Sequence, residues 1–156
     1  MRVGRPVLRI SNDQAMFKTF IYQVPVMFGD CDPAGIVFFP NFLKWMDGSS
    51  HHFFRSCGFP PFRELESSRG IVGHPLLEVQ TKFLKPATYE EQLEVHTSIS
   101  EWNGKVFMHS HQIRRGEVLI CEGRETRTFV VRHPDDAQRI KSIALPEDLK
   151  NLCLSH

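Results

Sequence analysis

One stretch of this sequence reads as a long helix, and nearly everything after it reads as strand. Pro40 suits a first helical position, which leaves Phe39 near the N-cap, and Gly58 suits the position past the end. Between them Phe42, Trp45, Met46, Ser49 and Phe53 recur at the spacing of one helical face, while Lys44, Asp47, His51 and Arg55 fall away from it. Downstream the period changes. Leu93, Val95, Thr97 and Ile99 alternate with Glu94, His96, Ser98 and Ser100, as in a strand with one buried face. Asn103-Gly104 predicts a hairpin, Val106 to Arg115 the returning strand, Arg115-Gly116 another turn, and Glu117 to Arg132 a long final strand. Residues 17–28 and 76–84 predict two more strands, Pro61 to Ser68 a short helix, and Pro146 to Cys153 a helical turn. Antiparallel strands joined by hairpins with one buried helix make an α+β fold whose sheet wraps that helix. Open edges of such a sheet commonly pair between subunits, so a dimer is expected.

A chain of 156 residues, 41% hydrophobic and 24% charged, fits one globular domain. Residues 1–16 are expected to be an N-terminal extension, packed through Val7, Leu8 and Ile10, and residues 17–156 the single domain. Arg2, Arg5 and Arg9 against the lone acid Asp13 leave a transit peptide as the alternative reading of that extension. A formal net charge of +1 argues against nucleic acid or an anionic membrane as the main partner. No apolar run approaches the ~20 residues that span a bilayer. Cys31, Cys57, Cys121 and Cys153 are scattered without a CxxC pair, and no apolar leader precedes them. Free thiols in a reducing cytoplasm are expected.

The chemistry is concentrated just before the long helix. Gly29-Asp30-Cys31-Asp32-Pro33-Ala34-Gly35 sets two carboxylates in a turn-rich loop, close to N–H groups that favour negative charge. A carboxylate there can attack or activate water, and a helix-start N–H can bind a developing oxyanion. An Asp in such a turn can equally bond only its own backbone.

The longer segment GDCDPAGIVFFPNF, Gly29 to Phe42, is similar to the signature of the 4-hydroxybenzoyl-CoA thioesterase family of hotdog-fold enzymes, in the branch with an aspartate in this loop. The resemblance continues through Cys57-Gly58-Phe59-Pro60-Pro61, Arg69-Gly70-Ile71-Val72-Gly73 and Glu101-Trp102, and spans roughly residues 18 to 153. It implies a hotdog fold and hydrolysis of an aryl-CoA thioester to the aromatic acid and coenzyme A. Asp32 matches the catalytic aspartate, as nucleophile or as base for water. Asp30 matches a loop-fixing acid, the Phe39 N–H the oxyanion donor, and Phe38 a neighbour of the acyl pocket. The family places the aryl group at a dimer interface and the nucleotide against basic residues, for which Lys105, Arg124 and Arg127 are expected. Subunits are expected to assemble into a dimer and on to a homotetramer, with an acyl-CoA substrate as the small-molecule partner and no cofactor.

Two positions depart from the family pattern. Asn103 and Gly104 stand where a more basic hairpin belongs. His74 stands where a small hydroxyl residue belongs; it is expected either to face the acyl pocket and alter the ring substituent accepted, or to bond backbone. Two other readings compete with the leading one: a short-chain acyl-CoA thioesterase of the Tol-Pal-associated branch, and a non-catalytic acyl-CoA binding or dehydratase-like hotdog module. His109-Ser110-His111 puts two imidazoles on one strand face at a spacing zinc uses, but sequence places no third ligand, so no metal is expected. Cys31 reads as a small semi-buried thiol rather than a nucleophile.

Overall fold

The computed structural model describes residues 16–156. The contacts expected of Val7, Leu8 and Ile10 fall outside that range. Strand β1 (Thr19–Pro25) leads through a 3₁₀ turn at Phe28–Asp30 and the acidic loop into helix α1 (Pro40–Ser56). A short helix α2 (Phe62–Arg69) follows, then strands β2 (Ile71–Gly73), β3 (Leu76–Phe83), β4 (Gln92–Asn103), β5 (Val106–Arg115), β6 (Val118–His133) and β7 (Asp136–Ile143), and helix α3 (Glu147–Asn151). No described helix is long and apolar enough to cross a membrane.

All strand pairings are antiparallel, and the sheet runs β1-β4-β5-β6 before reaching β2 and β3. β6 is the spine. One edge pairs β5 and then β7; the other pairs β3 and then β2. The concave face of this sheet wraps α1, whose buried residues are Phe42, Met46, Ser49, Ser50, Phe53 and Phe54. The amino half of α1 packs on Val24, Leu93, Val95, Ile113, Ile120 and Cys121. Its carboxyl half packs on Phe59, Leu65, Ile71, Ile99, Phe107 and Phe129, so the helix is the common member of both cores. Gly123 on β6 marks the closest approach: a side chain there would meet the Met46 sulfur at 2.5 Å.

The α+β architecture, the wrapped helix and the alternation of β4 follow the sequence reading. Leu93, Val95, Thr97 and Ile99 are buried while their neighbours are not. Three details differ. β6 is not the last strand, because β7 follows it with residues exposed along most of its length. A strand wet on both sides carries no period-2 apolar signal. β2 is too short to carry one. The hairpin between β4 and β5 turns at Gly104-Lys105, one position later than expected, with Asn103 pairing Val106 and Gly104 at φ +59°. A glycine at the first central position is what that turn geometry requires.

Candidate active site

The acidic loop is a closed structure rather than a slack connector. The Asp32 N–H donates to the Ile36 carbonyl and the Gly35 N–H to the Asp32 carbonyl, each at 2.9 Å, while Cys31 bridges Val37 as a short β pair. Asp30 fixes both ends. Its carboxylate accepts the Met27 N–H at 2.8 Å, and its carbonyl accepts the Phe38 N–H at 2.9 Å and the Asn41 side-chain amide at 2.8 Å. Asn41 lies in the first turn of α1, so the loop is tied directly to the helix start. From the other side the Val37 N–H donates to Ala87 and the Thr88 hydroxyl to Gly35.

Asp32 is half-buried in this loop. Its Oδ1 accepts the Ala34 N–H at 2.9 Å, the local turn that an aspartate before Pro-Ala readily makes. Oδ2 has no partner among the described residues, so one oxygen holds the side chain while the other stays open. Phe39 occupies the N-cap of α1, and its own N–H is bonded to no other described group. A free amide at a helix start can bind a carbonyl oxygen and favours negative charge developing on it.

At the start of α1 lies an open apolar groove of about 720 Å³, lined by Ile36, Phe39, Phe42, Phe83, Leu84 and Pro86 among others. Phe39 packs edge-on against Phe38 and Phe83, yet is 55% exposed. The exposure runs on along edge strand β3, where Leu76, Leu77, Val79 and Phe83 are open and Leu77 is 57% exposed. These side chains make a contiguous apolar band along the exposed sheet edge.

The expected site residues do not all converge. Asp32, Phe38 and Phe39 belong to the loop and helix start. Lys105 sits exposed in the β4–β5 turn, its carbonyl accepting the Thr128 hydroxyl at 2.7 Å. Arg124 is exposed on the opposite, convex face of the sheet from α1, beside Gln80 and Ser110. Arg127 corrects the expectation of a phosphate contact. It is 2% exposed, and its guanidinium is committed to Glu125, Asp47 and the His74 carbonyl. His74 is likewise 2% exposed, packed among Phe54, Phe62, Phe107 and Phe129, so it faces the core rather than the groove.

Behind α1 lies a polar network that the residue spacing does not announce. The Ser50 hydroxyl donates to Glu125 Oε2 at 2.6 Å, so the His109 Nδ1 that meets it at 2.9 Å must bring its own proton. The same carboxylate oxygen lies 3.1 Å from His111 Nε2 and 2.8 Å from Arg127 Nε. His111 Nδ1 meets the Thr97 hydroxyl at 2.7 Å, which in turn meets Ser49 at 2.7 Å. Burial alone would raise the Glu125 pKa. The hydrogen bonds and positive charge brought by His111 and Arg127 outweigh it and hold the carboxyl well below its usual range. Desolvation pushes His74 and His109 well down. Glu125 is the third ligand type missing beside His109 and His111, and the three groups cluster closely enough for an ion. Ser50 Oγ, however, fills the middle of that cluster. One signal was available in sequence: the inward alternation Cys121, Gly123, Glu125, Arg127, Phe129 along β6 puts an acid and a base on the buried face.

A sheet wrapped on one helix is the hotdog fold, and here an acid-bearing loop is bonded to the amino end of that helix. The thioesterase-like superfamily matches residues 26–152, and the chain belongs to that family; it is a thioesterase. Over 143 residues it is 38% identical to 4-hydroxybenzoyl-CoA thioesterase of Pseudomonas sp. (strain CBS-3), an alignment covering 88% of this chain and 99% of that relative. An aspartate-to-asparagine variant of 4-hydroxybenzoyl-CoA thioesterase, crystallised with 4-hydroxybenzoyl-CoA, superposes with a TM-score of 0.80 at 36% identity, covering 86% of this chain and 98% of that one. A gentisyl-coenzyme A thioesterase superposes with a TM-score of 0.71 at 32% identity, covering 86% and 98%.

Proposed function

We propose that this chain hydrolyses hydroxylated benzoyl-coenzyme A thioesters, with 4-hydroxybenzoyl-CoA as the type substrate, to the aromatic acid and the free thiol of coenzyme A. The near-full-length likeness to thioesterases of 4-hydroxybenzoyl-CoA and of gentisyl-coenzyme A carries the reading. The thioester carbonyl oxygen binds the Phe39 N–H, whose hydrogen bond strengthens as the oxygen becomes anionic. The Asp32 carboxylate then attacks the carbonyl carbon, or takes a proton from a water that does. The carbon–sulfur bond breaks and the thiolate leaves without a strong general acid. Where Asp32 is the nucleophile, water then cleaves the aspartyl–aroyl anhydride, which releases the aromatic acid and restores the carboxylate. The apolar groove beside Phe39, whose ring packs edge-on against Phe38, suits an aromatic acyl group. The exposed cations Lys105 and Arg124 remain for the coenzyme phosphates as charge-assisted partners. None of these steps calls for a metal or redox cofactor. Four free cysteines support a reducing, cytoplasmic setting.

Thiol trapping with 4-hydroxybenzoyl-CoA, acetyl-CoA and butyryl-CoA tests the assignment. Aryl substrate should exceed the aliphatic ones in kcat/KM by roughly 100-fold or more, since an aliphatic chain fills little of an aromatic groove. A preference for butyryl-CoA moves the chain to the short-chain branch; coenzyme A affinity without thiol release makes it a binding module.

The apolar band along β3 and the open groove support a second copy covering this face, completing the site as a dimer that goes on to a tetramer. Leu77→Lys places a charge in that band. It should yield a monomer by light scattering and lower kcat/KM at least tenfold, because burying an unpaired ammonium costs more than one side chain's apolar gain. An unchanged oligomer in this variant removes β3 from the interface.

A further inference from the structure

Arg127 is an unusual expenditure for a protein core. Its guanidinium is buried, and one of its arms reaches outward to a surface acid: Nη2 donates to Asp47 Oδ1 at 2.6 Å, while Asp47 is 55% exposed. Ordinary surface acids have no buried arginine holding them. Here the exposed carboxylate is fixed through one oxygen, which leaves the other oriented and open.

One turn further along α1 stands His51, its Nε2 3.9 Å from the same Asp47 oxygen. That is beyond hydrogen-bond distance, and no described group bonds to either ring nitrogen. The ring is nonetheless held, edge-on to Phe62 at 5.9 Å and over His74 at 4.5 Å between centroids. Behind it the fully enclosed His74 Nε2 has no partner. Burial lowers the His51 pKa against the pull of Asp47, so a neutral imidazole with an available nitrogen faces outward.

Phe39, Leu43, Asp47 and His51 follow one another at steps of four along one inclined ridge of α1. Phe39 and Asp47 are therefore about 12 Å apart along the axis. A benzoyl thioester measures about 6 Å from carbonyl oxygen to para oxygen, and a hydrogen bond of about 3 Å at each end brings the total to about 12 Å. Neighbouring ring hydroxyls lie about 3 Å apart, close enough for the Asp47 carboxylate to accept one while His51 bonds the other.

Resting on the aryl thioesterase reading, we propose that His51 and Asp47 together form a subsite for two adjacent ring hydroxyls. The preferred substrate class is the catechol-type, 3,4-dihydroxybenzoyl thioester. His51 is the residue that distinguishes it from the singly hydroxylated ring.

The test compares kcat/KM for 3,4-dihydroxybenzoyl-CoA and 4-hydroxybenzoyl-CoA in the full chain and in His51→Leu and His51→Gln. The unsubstituted protein should favour the dihydroxy substrate about tenfold, the worth of one added hydrogen bond. In His51→Leu the ratio should fall to about one, and His51→Gln, which keeps a hydrogen-bonding group, should recover part of it. Turnover of 4-hydroxybenzoyl-CoA with no dihydroxy preference, or a preference that survives His51→Leu, overturns the subsite alone. No thiol release from either aryl substrate overturns the thioesterase reading and the subsite with it.

Discussion

Asp32→Asn is expected to lower kcat for 4-hydroxybenzoyl-CoA by roughly 10³-fold or more, while the dissociation constant changes by no more than a few-fold. The substitution is well matched to the site. The side-chain oxygen that accepts the Ala34 N–H at 2.9 Å exists in asparagine too, so the turn and the loop it closes remain. What disappears is the charge on the open oxygen. An amide neither attacks a thioester nor takes a proton from water, so both versions of the chemistry fail together. Binding survives because the apolar groove, the Phe39 N–H and the exposed cations are untouched. Stopped-flow thiol trapping gives the first quantity and titration calorimetry on the unreacted complex the second. Turnover within tenfold of wild type would place the reactive carboxylate elsewhere.

The second large effect is on stability. Arg127→Met is expected to destabilise the fold by about 3–5 kcal/mol, because Glu125 keeps its charge in the core and loses its cation. For a chain of this length that is a fall in Tm of roughly 6–20 °C. Adding Glu125→Gln should return part of the loss, since it removes the stranded charge while keeping an acceptor for Ser50. If the two substitutions are simply additive in a melting cycle, the pair is not coupled.

The same network sets an acid limit. His74 and His109 are held neutral in the fold, so below about pH 6.5 the unfolded chain takes up protons that the folded chain refuses. Their contribution is fully present above that pH and is lost as pH falls, by up to about 1.4 kcal/mol per unit for each histidine. Glu125, whose folded pKa is depressed, adds a further loss as pH drops below about 4.3. Melting curves between pH 7.5 and 5 should therefore slope downward, and less steeply in His109→Gln.

What could be read from the residues and what could not divides along a physical line. Helix α1 declared itself because Pro40 fixes its start and the 3.6-residue stripe buries one face against the sheet. β4 declared itself because its inner face is apolar at every second position. The acidic loop was legible through local chemistry, with turn residues around two acids and partners a few positions away. β7 was not, since Arg139 and Lys141 on a strand exposed to water break any alternation. Nor was the Ser50–His111–Glu125–Arg127 network, whose members come from a helix and two strands and meet only after the sheet has closed on α1. Arg127 reads as a surface cation unless the alternation of Cys121, Glu125 and Phe129 is used to mark its face as the buried one, and its partner Asp47 lies far off in sequence on α1.

The vibrational spectrum of substrate bound to the Asp32→Asn protein tests the central claim most directly. If the amino end of α1 grips the scissile carbonyl, the C=O stretch of intact 4-hydroxybenzoyl-CoA should move clearly to lower frequency than in water. A carbonyl band left at its solution position would mean that the helix end does not polarise the thioester, whatever the rates say.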